Sequence, residues 1–143
     1  MAYLFNGVKS LGEIKPIPVR ITTEDRIIED EVLVGLFCST TSVGGFHPKL
    51  NVEVSLNDGL SEVIAVKKMK TLADLNAIGT LLLKGELDPE YFYAFQTDCV
   101  RFEFPDPVSL TLDGEFGGTL QEVELRNNKQ AVEIIVPDSC SIE

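Results

Sequence analysis

The sequence is poor in the residues from which metal centres and disulfide frameworks are built. It contains no tryptophan, a single histidine at His47, and three widely spaced cysteines, Cys38, Cys99 and Cys140, with no CxxC pair. One histidine excludes a histidine-rich metal centre. An odd set of scattered cysteines is typical of reduced thiols in a cytoplasmic protein, rather than of a disulfide framework or a zinc site.

Long apolar runs and positive charge are scarce as well. The longest apolar stretch, residues 77–83, is interrupted by Gly79 and Thr80 and is far shorter than the ~20 residues that span a bilayer. The chain has 12 lysines and arginines against 23 aspartates and glutamates, a net charge of -11. Because the apolar runs are short, we expect no transmembrane segment. Because such an acidic surface repels the phosphates of nucleic acids and anionic lipids, we expect no nucleic-acid partner.

What the sequence does contain is a succession of short strand patterns. Apolar and polar residues alternate, as in half-buried strands, in three segments: 50–54, 100–104 and 108–112. Residues 32–38 are almost continuously apolar, which predicts a strand buried on both faces. A last strand is predicted over residues 131–136. Turn signals punctuate these segments, and the strongest are Asn57-Asp58-Gly59 and Asp113-Gly114.

One longer segment has helical periodicity. Thr71 can cap it, Asp74 lies three residues further on as in a capping box, and Gly85 can end it. Its apolar face is formed by Leu72, Leu75, Ile78, Leu82 and Leu83. A short N-terminal helix is predicted from Leu4, Val8 and Leu11. Together these patterns predict one domain over residues 1–143 with a mainly β fold, α+β by count. We expect an antiparallel β-sandwich with one docked amphipathic helix.

The residues by themselves leave the chemistry open. The carboxylates of Asp113 and Glu115 lie on a tight turn that could aim a general base, but Asp-Gly is also among the commonest hairpin turns. Asp58 either ligates a hard cation or shapes its hairpin, and the plain turn is the commoner case. The loop glycines Gly44 and Gly45 are a weak signal for a ligand. No GxxxxGK[ST] or GxGxxG occurs, so no means of holding ATP is visible.

Taken in order, several segments resemble the second domain of the bacterial branch of the diacylglycerol kinase and sphingosine kinase superfamily. The likeness runs from about Tyr3 to Pro137. Its most specific pieces are Ser42–Phe46, Leu56–Leu60, Val66–Lys68, Leu83–Gly85, Leu112–Glu115 with Gly117–Gly118, and Ile134–Pro137. The sequence departs from the family pattern at Ser39, Val52, Val54, Glu86 and Gln121.

The resemblance implies roles for both acidic turns. Glu115 would accept the proton of a lipid hydroxyl, while Asp113 would assist it or shape the turn together with Gly114. Asp58 would bind a structural Mg²⁺, and Ser55 and Leu60 would add main-chain oxygens. ATP would be bound mainly by an N-terminal domain with a Gly-Gly-Asp-Gly-Thr motif, which this sequence lacks.

The resemblance therefore suggests a fragment of a lipid kinase that is inactive by itself. The full-length protein would phosphorylate diacylglycerol or a similar lipid, and would be cytoplasmic and peripheral to the membrane. Unpaired sheet edges in the fragment favour a homo-oligomer. The alternative is a non-catalytic, acidic β-sandwich that acts as a binding or assembly module.

Overall fold

The structure, a computed structural model, describes residues 15–39, 58–133 and 135. Several sequence predictions fall outside these residues: the short N-terminal helix, the loop glycines Gly44 and Gly45, the strand at 50–54, and Ser55.

Six strands and one helix make up the described fold. The strands are β1 (Ile17–Thr22), β2 (Ile27–Cys38), β3 (Ser61–Lys67), β4 (Phe92–Thr97), β5 (Cys99–Leu112) and β6 (Glu115–Arg126), and helix α1 (Leu72–Lys84) lies between β3 and β4. The strands form one antiparallel sheet in the order β4-β3-β2-β1-β5-β6. The predicted mainly β fold with one helix is confirmed. Residues 131–133 and 135 are not in a strand, so the predicted last strand is wrong there.

The sheet is folded back on itself. Only Asp98 separates β4 from β5, yet these strands are four positions apart in the sheet order. On a flat sheet that separation is about 19 Å, whereas two residues of chain reach about 7 Å. The sheet therefore curves until its halves, β4-β3-β2 and β1-β5-β6, face each other. The expected two layers are formed by one continuous sheet.

Two apolar clusters result from this folding. The larger one lies between the two halves of the sheet and consists of Val19, Ile21, Val32, Val63, Ala65, Phe95, Val100 and Phe102. The second lies under α1 and consists of Leu33, Ile64, Val66, Ile78 and Phe92. Alternate residues of β3 thus enter different clusters, so β3 is buried on both faces. The prediction that residues 32–38 form a strand buried on both faces is wrong, because Leu36 is 37% exposed and only Val32 and Leu33 are buried.

Helix α1 begins and ends as its sequence predicts. The Thr71 hydroxyl accepts a hydrogen bond from the Asp74 amide at 3.3 Å, and the Asp74 carboxylate accepts one from the Thr71 amide at 2.8 Å. Gly85 ends the helix with φ 72°, a left-handed conformation that glycine adopts readily. Of the predicted apolar face, Ile78 is fully buried, but Leu72 and Leu83 are exposed. Within the described residues, no helix has both the length and the apolarity to cross a bilayer.

Candidate functional site

The acidic turn at Asp113 lies at the tip of a two-stranded arm. Strand β1 pairs with β5 only opposite residues 101–103. Beyond them, the described part of the chain offers residues 104–112 of β5 no strand partner other than β6. Asp113 and Gly114 have φ of 50° and 90°, and positive φ at both central residues is the geometry of a type I′ hairpin turn. The predicted Asp-Gly turn is confirmed.

Two glycines after the turn form a β-bulge. Leu110 pairs with Gly118, while the next residue, Thr111, pairs with Phe116, so Gly117 is the extra residue. Gly118 has φ 108°, which disfavours residues with a Cβ. A Cβ on Gly117 would lie 2.6 Å from Leu112 Cγ. The glycines therefore shape the arm.

The bulge decides which side of the arm carries Glu115. Directly paired residues point to the same side of a sheet, and Glu115 pairs with Leu112 while Leu120 pairs with Val108. In a regular strand, residues 115 and 120 would point to opposite sides. The extra residue at Gly117 puts them on the same side. Glu115 thus ends an apolar stripe made of Val108, Leu110, Leu112 and Leu120.

The stripe and the acidic tip are open to solvent. Leu112 is 57% exposed and Leu120 is 43% exposed, and the side chains of Asp113 and Glu115 are exposed as well. An exposed carboxylate at the end of an exposed apolar surface can meet a ligand that has an apolar part and a hydroxyl group. Apolar surface of this kind is typical of interaction sites.

The second acidic turn is closed by its own side chain. The Asp58 Oδ1 atom accepts a hydrogen bond from the Leu60 amide at 2.8 Å, and Gly59 has φ 85°. A Cβ on Gly59 would lie 3.0 Å from Lys129 Cβ, so the stem of Lys129 covers this glycine. Asp58 therefore shapes the turn, as the residues alone suggested. Strand β3 begins directly after this turn.

Asparagine 127 holds this turn from the far end of the chain. The Asn127 side-chain amide lies 2.9 Å from the Leu60 carbonyl oxygen, 2.9 Å from Ser61 Oγ and 3.2 Å from Ser39 Oγ. The Ser39 and Ser61 hydroxyls are 2.7 Å apart. Sequence reasoning did not identify Asn127 as a site residue, since no local pattern reveals partners 66 to 88 positions away.

The donor set at the Asp58 turn fits Mg²⁺ chemically. Carboxylate and main-chain carbonyl oxygens are the ligands that Mg²⁺ prefers, and it commonly keeps several waters. Asp58 and Leu60 supply such oxygens within one turn. Among residues 15–39, 58–133 and 135, no group of three or more histidine, cysteine, aspartate or glutamate side chains is arranged so that it could hold a metal ion. A cation there would thus depend on few carboxylates.

The structure does not bring the two acidic turns together. Glu115 is the first residue of β6, whereas Asn127, which holds the Asp58 turn, follows the last. The 12 residues of β6 separate them. Glu115 and Asp58 therefore lie near opposite ends of β6 and do not form one site.

A shallow hollow of about 410 Å³ lies where β1 and β5 diverge. Val19, Phe104 and Pro105 form part of its wall, with Arg20 and Asp30 also lining it. The Arg20 guanidinium is 3.5 Å from Glu29 and 4.0 Å from Glu103. Because two carboxylates balance this cation, the hollow is not suited to phosphate.

Comparison with known proteins finds that the chain is similar to bacterial diacylglycerol kinases. It is 30% identical over 138 residues to a diacylglycerol kinase of Bacillus subtilis, covering 96% of this chain and 45% of that protein. It is 36% identical over 138 residues to that of Staphylococcus epidermidis, covering 95% and 42%. It is 34% identical over 144 residues to the diacylglycerol kinase of Staphylococcus saprophyticus, covering 99% of this chain and 46% of that protein. No protein-family model matches the chain.

Solved structures show the same fold. A crystal structure described as a diacylglycerol kinase of Bacillus anthracis superposes with a TM-score of 0.66 at 18% identity, covering 87% of this chain and 41% of that one. A second from the same organism gives 0.56 at 18% identity, covering 84% and 43%. The chain is thus similar in sequence and fold to one part of bacterial diacylglycerol kinases. It spans about half the length of the curated relatives it matches.

Proposed function

We propose that this chain is the C-terminal domain of an ATP-dependent lipid kinase that phosphorylates the hydroxyl group of diacylglycerol or a similar lipid alcohol. The observation that carries the proposal is the position of Glu115, an exposed carboxylate at the end of the apolar stripe on the β5–β6 arm. A lipid alcohol has the matching chemistry, an apolar body with a hydroxyl at one end. The matched relatives are named diacylglycerol kinases, which supports the same substrate class.

In this proposal Glu115 accepts the proton of the lipid hydroxyl as that oxygen attacks the γ-phosphorus of ATP. The bond from the γ-phosphorus to the β–γ bridging oxygen breaks, and ADP leaves. Catalysis of phosphoryl transfer consists mainly of positioning and charge stabilisation. The type I′ turn and the bulge supply positioning, because they fix the direction of Glu115. Asp113 contributes by shaping the turn.

ATP would be held mainly by an N-terminal domain of the complete kinase, since no glycine-rich nucleotide signature occurs in this sequence. The isolated chain would then lack kinase activity. Mg²⁺ at the Asp58 turn would stabilise the fold around β3, with Asp58 and Leu60 as ligands and Ser55 as a further one.

Assembly and location form part of the same proposal. Strands β4 and β6 are the edges of the described sheet, and β6 presents 12 residues with one free side. Edge strands of this kind pair with other chains, so we propose a homo-oligomer. Cys38 and Cys99 are free thiols, which fits a cytoplasmic protein peripheral to the membrane.

The competing function is a non-catalytic binding or assembly module. It is favoured by the fact that both acidic turns are explained by turn chemistry: Asp58 caps the Leu60 amide, and Asp113-Gly114 forms a type I′ turn. In that case the Glu115 carboxylate has no chemical task.

Substitution of Glu115 distinguishes the two functions. In the complete kinase, Glu115→Ala and Glu115→Gln should lower kcat about 10²- to 10⁴-fold, the usual contribution of a general base, without unfolding the protein. Glu122→Gln is the matched control, because it is an exposed glutamate on the same strand, 3.5 Å from Arg101. Near-normal turnover in both Glu115 variants would remove Glu115 from the mechanism and favour the module.

A further inference from the structure

The Asn127 side chain joins three separate parts of the chain. Its amide nitrogen reaches the Leu60 carbonyl oxygen at 2.9 Å, Ser61 Oγ at 2.9 Å and Ser39 Oγ at 3.2 Å. These partners lie after β2 and at the start of β3, whereas Asn127 directly follows β6. One side chain thus ties the end of the arm-bearing strand to the Asp58 turn.

The position of Asn127 is itself fixed by the main chain. Its backbone amide donates to the Asp98 carbonyl oxygen at 2.7 Å, at the corner where β4 passes into β5. The side chain is half-buried, and Ser61 is only 1% exposed. A donor held at both its backbone and its side chain has little freedom to move, so the direction of its hydrogen bond to Leu60 is well defined.

The bond to Leu60 bears on the ability of that carbonyl to meet a cation. A carbonyl oxygen has two lone pairs, and the Asn127 amide occupies one of them. The carbonyl is thereby oriented, and no other side chain of residues 15–39 and 58–133 donates to it, which leaves its second lone pair for a hard cation. The Asp58 carboxylate is oriented in the same turn by the Leu60 amide at 2.8 Å. Both ligand oxygens are therefore held by hydrogen bonds before any cation binds.

The residues after Asn127 enclose the turn further. The stem of Lys129 lies against Gly59, at 3.0 Å from the place where a Cβ would be. Gly59 has φ 85° and thus needs to be glycine. Asn127 and Lys129 therefore both pack against the Asp58 turn.

We propose that Asn127 is a positioning residue for divalent-cation binding at the Asp58 turn, acting through the Leu60 carbonyl. The inference rests on the proposed Mg²⁺ role of Asp58 and Leu60, and adds a residue outside that ligand set. Groups that orient metal ligands through hydrogen bonds typically contribute 10- to 100-fold to metal affinity. Asn127 belongs to this kind, since it touches a ligand oxygen and no cation.

The test is a titration of the 143-residue chain with MgCl₂, followed by calorimetry and by the shift of its thermal unfolding midpoint. Four proteins are compared: wild type, Asp58→Ala, Asn127→Ala and Asn128→Ala. Asn128 is the matched control, because it is the neighbouring asparagine and is exposed. We expect Asp58→Ala to abolish Mg²⁺ binding, Asn127→Ala to weaken it by about tenfold or more, and Asn128→Ala to bind as wild type does.

The outcomes separate this inference from the one beneath it. Wild-type affinity in Asn127→Ala, alongside loss of binding in Asp58→Ala, overturns the role of Asn127 and leaves the metal site standing. Binding unchanged in Asp58→Ala, or absent in wild type, overturns the metal site and the inference with it. If Asn127→Ala is unfolded, Asn127→Ser is titrated instead, since serine leaves a smaller hole and is too short to reach Leu60. Unchanged affinity in that variant also overturns the role.

Discussion

The hydroxyl of Tyr93 donates a 2.6 Å hydrogen bond to Asp30 Oδ2, joining β4 to β2 across 63 positions of sequence. Burial, together with this hydrogen bond, raises the pKa of Tyr93 to about 12. The same hydrogen bond holds the pKa of Asp30 below its usual value. The Lys67 ammonium lies 4.2 Å from the centre of the Tyr93 ring, so Tyr93 links two charged groups on neighbouring strands.

The pair predicts a pH window for stability. Because the pKa of Tyr93 is raised, the protonated hydroxyl stabilises the folded state fully below pH 10.0, and this stabilisation is lost as the pH rises toward about 12. Because the pKa of Asp30 is lowered, the ionised carboxylate stabilises the folded state fully above pH 3.8, and this stabilisation is lost as the pH falls below that value. Tyr93→Phe should therefore lower the free energy of unfolding by about 1 kcal/mol at pH 7, and by progressively less above pH 10.0.

Urea denaturation of wild type and Tyr93→Phe between pH 7 and the alkaline limit of folding measures this difference. The double variant with Asp30→Asn serves as the control, since two groups in contact should have non-additive effects. Additive effects, or a difference that does not shrink at alkaline pH, would contradict the assigned interaction.

Backbone conformation predicts that alanine substitution has opposite effects on stability at Gly118, in the bulge of the arm, and at Gly35, in β2. Gly118→Ala should destabilise the arm by about 1–2 kcal/mol, because its φ is 108° and a left-handed backbone disfavours a side chain. Apart from the chain neighbours, no described residue has a heavy atom within 4 Å of the added Cβ at either Gly118 or Gly35, so backbone conformation separates them. Gly35→Ala should be neutral or stabilising. Hydrogen exchange of residues 108–120, together with urea denaturation, measures both effects. Equal changes in stability of the two variants would contradict the role of the positive φ at Gly118.

The turn predicts that Asp113→Asn is tolerated. Asparagine adopts positive φ readily, and Asn-Gly is a preferred type I′ pair. We therefore expect the hydrogen exchange of the arm and the kcat of the complete kinase to stay close to wild type. Asp113→Val should disturb both, because a β-branched residue tolerates φ of 50° poorly. A large loss of kcat in Asp113→Asn with an intact arm would show that the carboxylate itself takes part in the reaction.

The apolar stripe predicts a face-specific effect on lipid use. Leu112→Ser with Leu120→Ser should raise the KM of the complete kinase about tenfold for long-chain diacylglycerol, and less for a short-chain, soluble analogue. Phe116→Ser is the matched control, because Phe116 is 74% exposed but pairs with Thr111 on the opposite side of the arm. An equal effect of Phe116→Ser would mean that general apolar contact, rather than the stripe, recognises the lipid.

Local interactions were predictable from the sequence. The capping box of Thr71 and Asp74, the end of α1 at Gly85 and the turn at Asp113-Gly114 all depend on residues within a few positions of one another. Their outcome is set by backbone conformation and nearby hydrogen bonds, which the residue types reveal directly. The resemblance to diacylglycerol kinases, which is carried by short segments in order, was confirmed as well.

Burial and long-range partners were less predictable. The apolar run at residues 32–38 is no sign of two-sided burial, because Leu36 lies partly exposed. Strand β3 is buried on both faces instead, between α1 and the opposite half of the sheet. Likewise Leu72 and Leu83 follow the helical period but are exposed. An apolar pattern gives the side on which residues lie, whereas the neighbouring elements decide whether that side is covered.

By itself, the sequence determined most of the described strands and turns of an acidic, mainly β domain, and its resemblance to bacterial diacylglycerol kinases. Only the tertiary structure decided that the chain crosses between the two halves of the folded sheet at Asp98, that Glu115 shares a side with the apolar stripe, and that Asn127 holds the Asp58 turn. The physical reason is distance along the chain. Local conformation depends on neighbours a few residues apart, whereas these relationships depend on strand pairing and contacts between residues far apart in sequence.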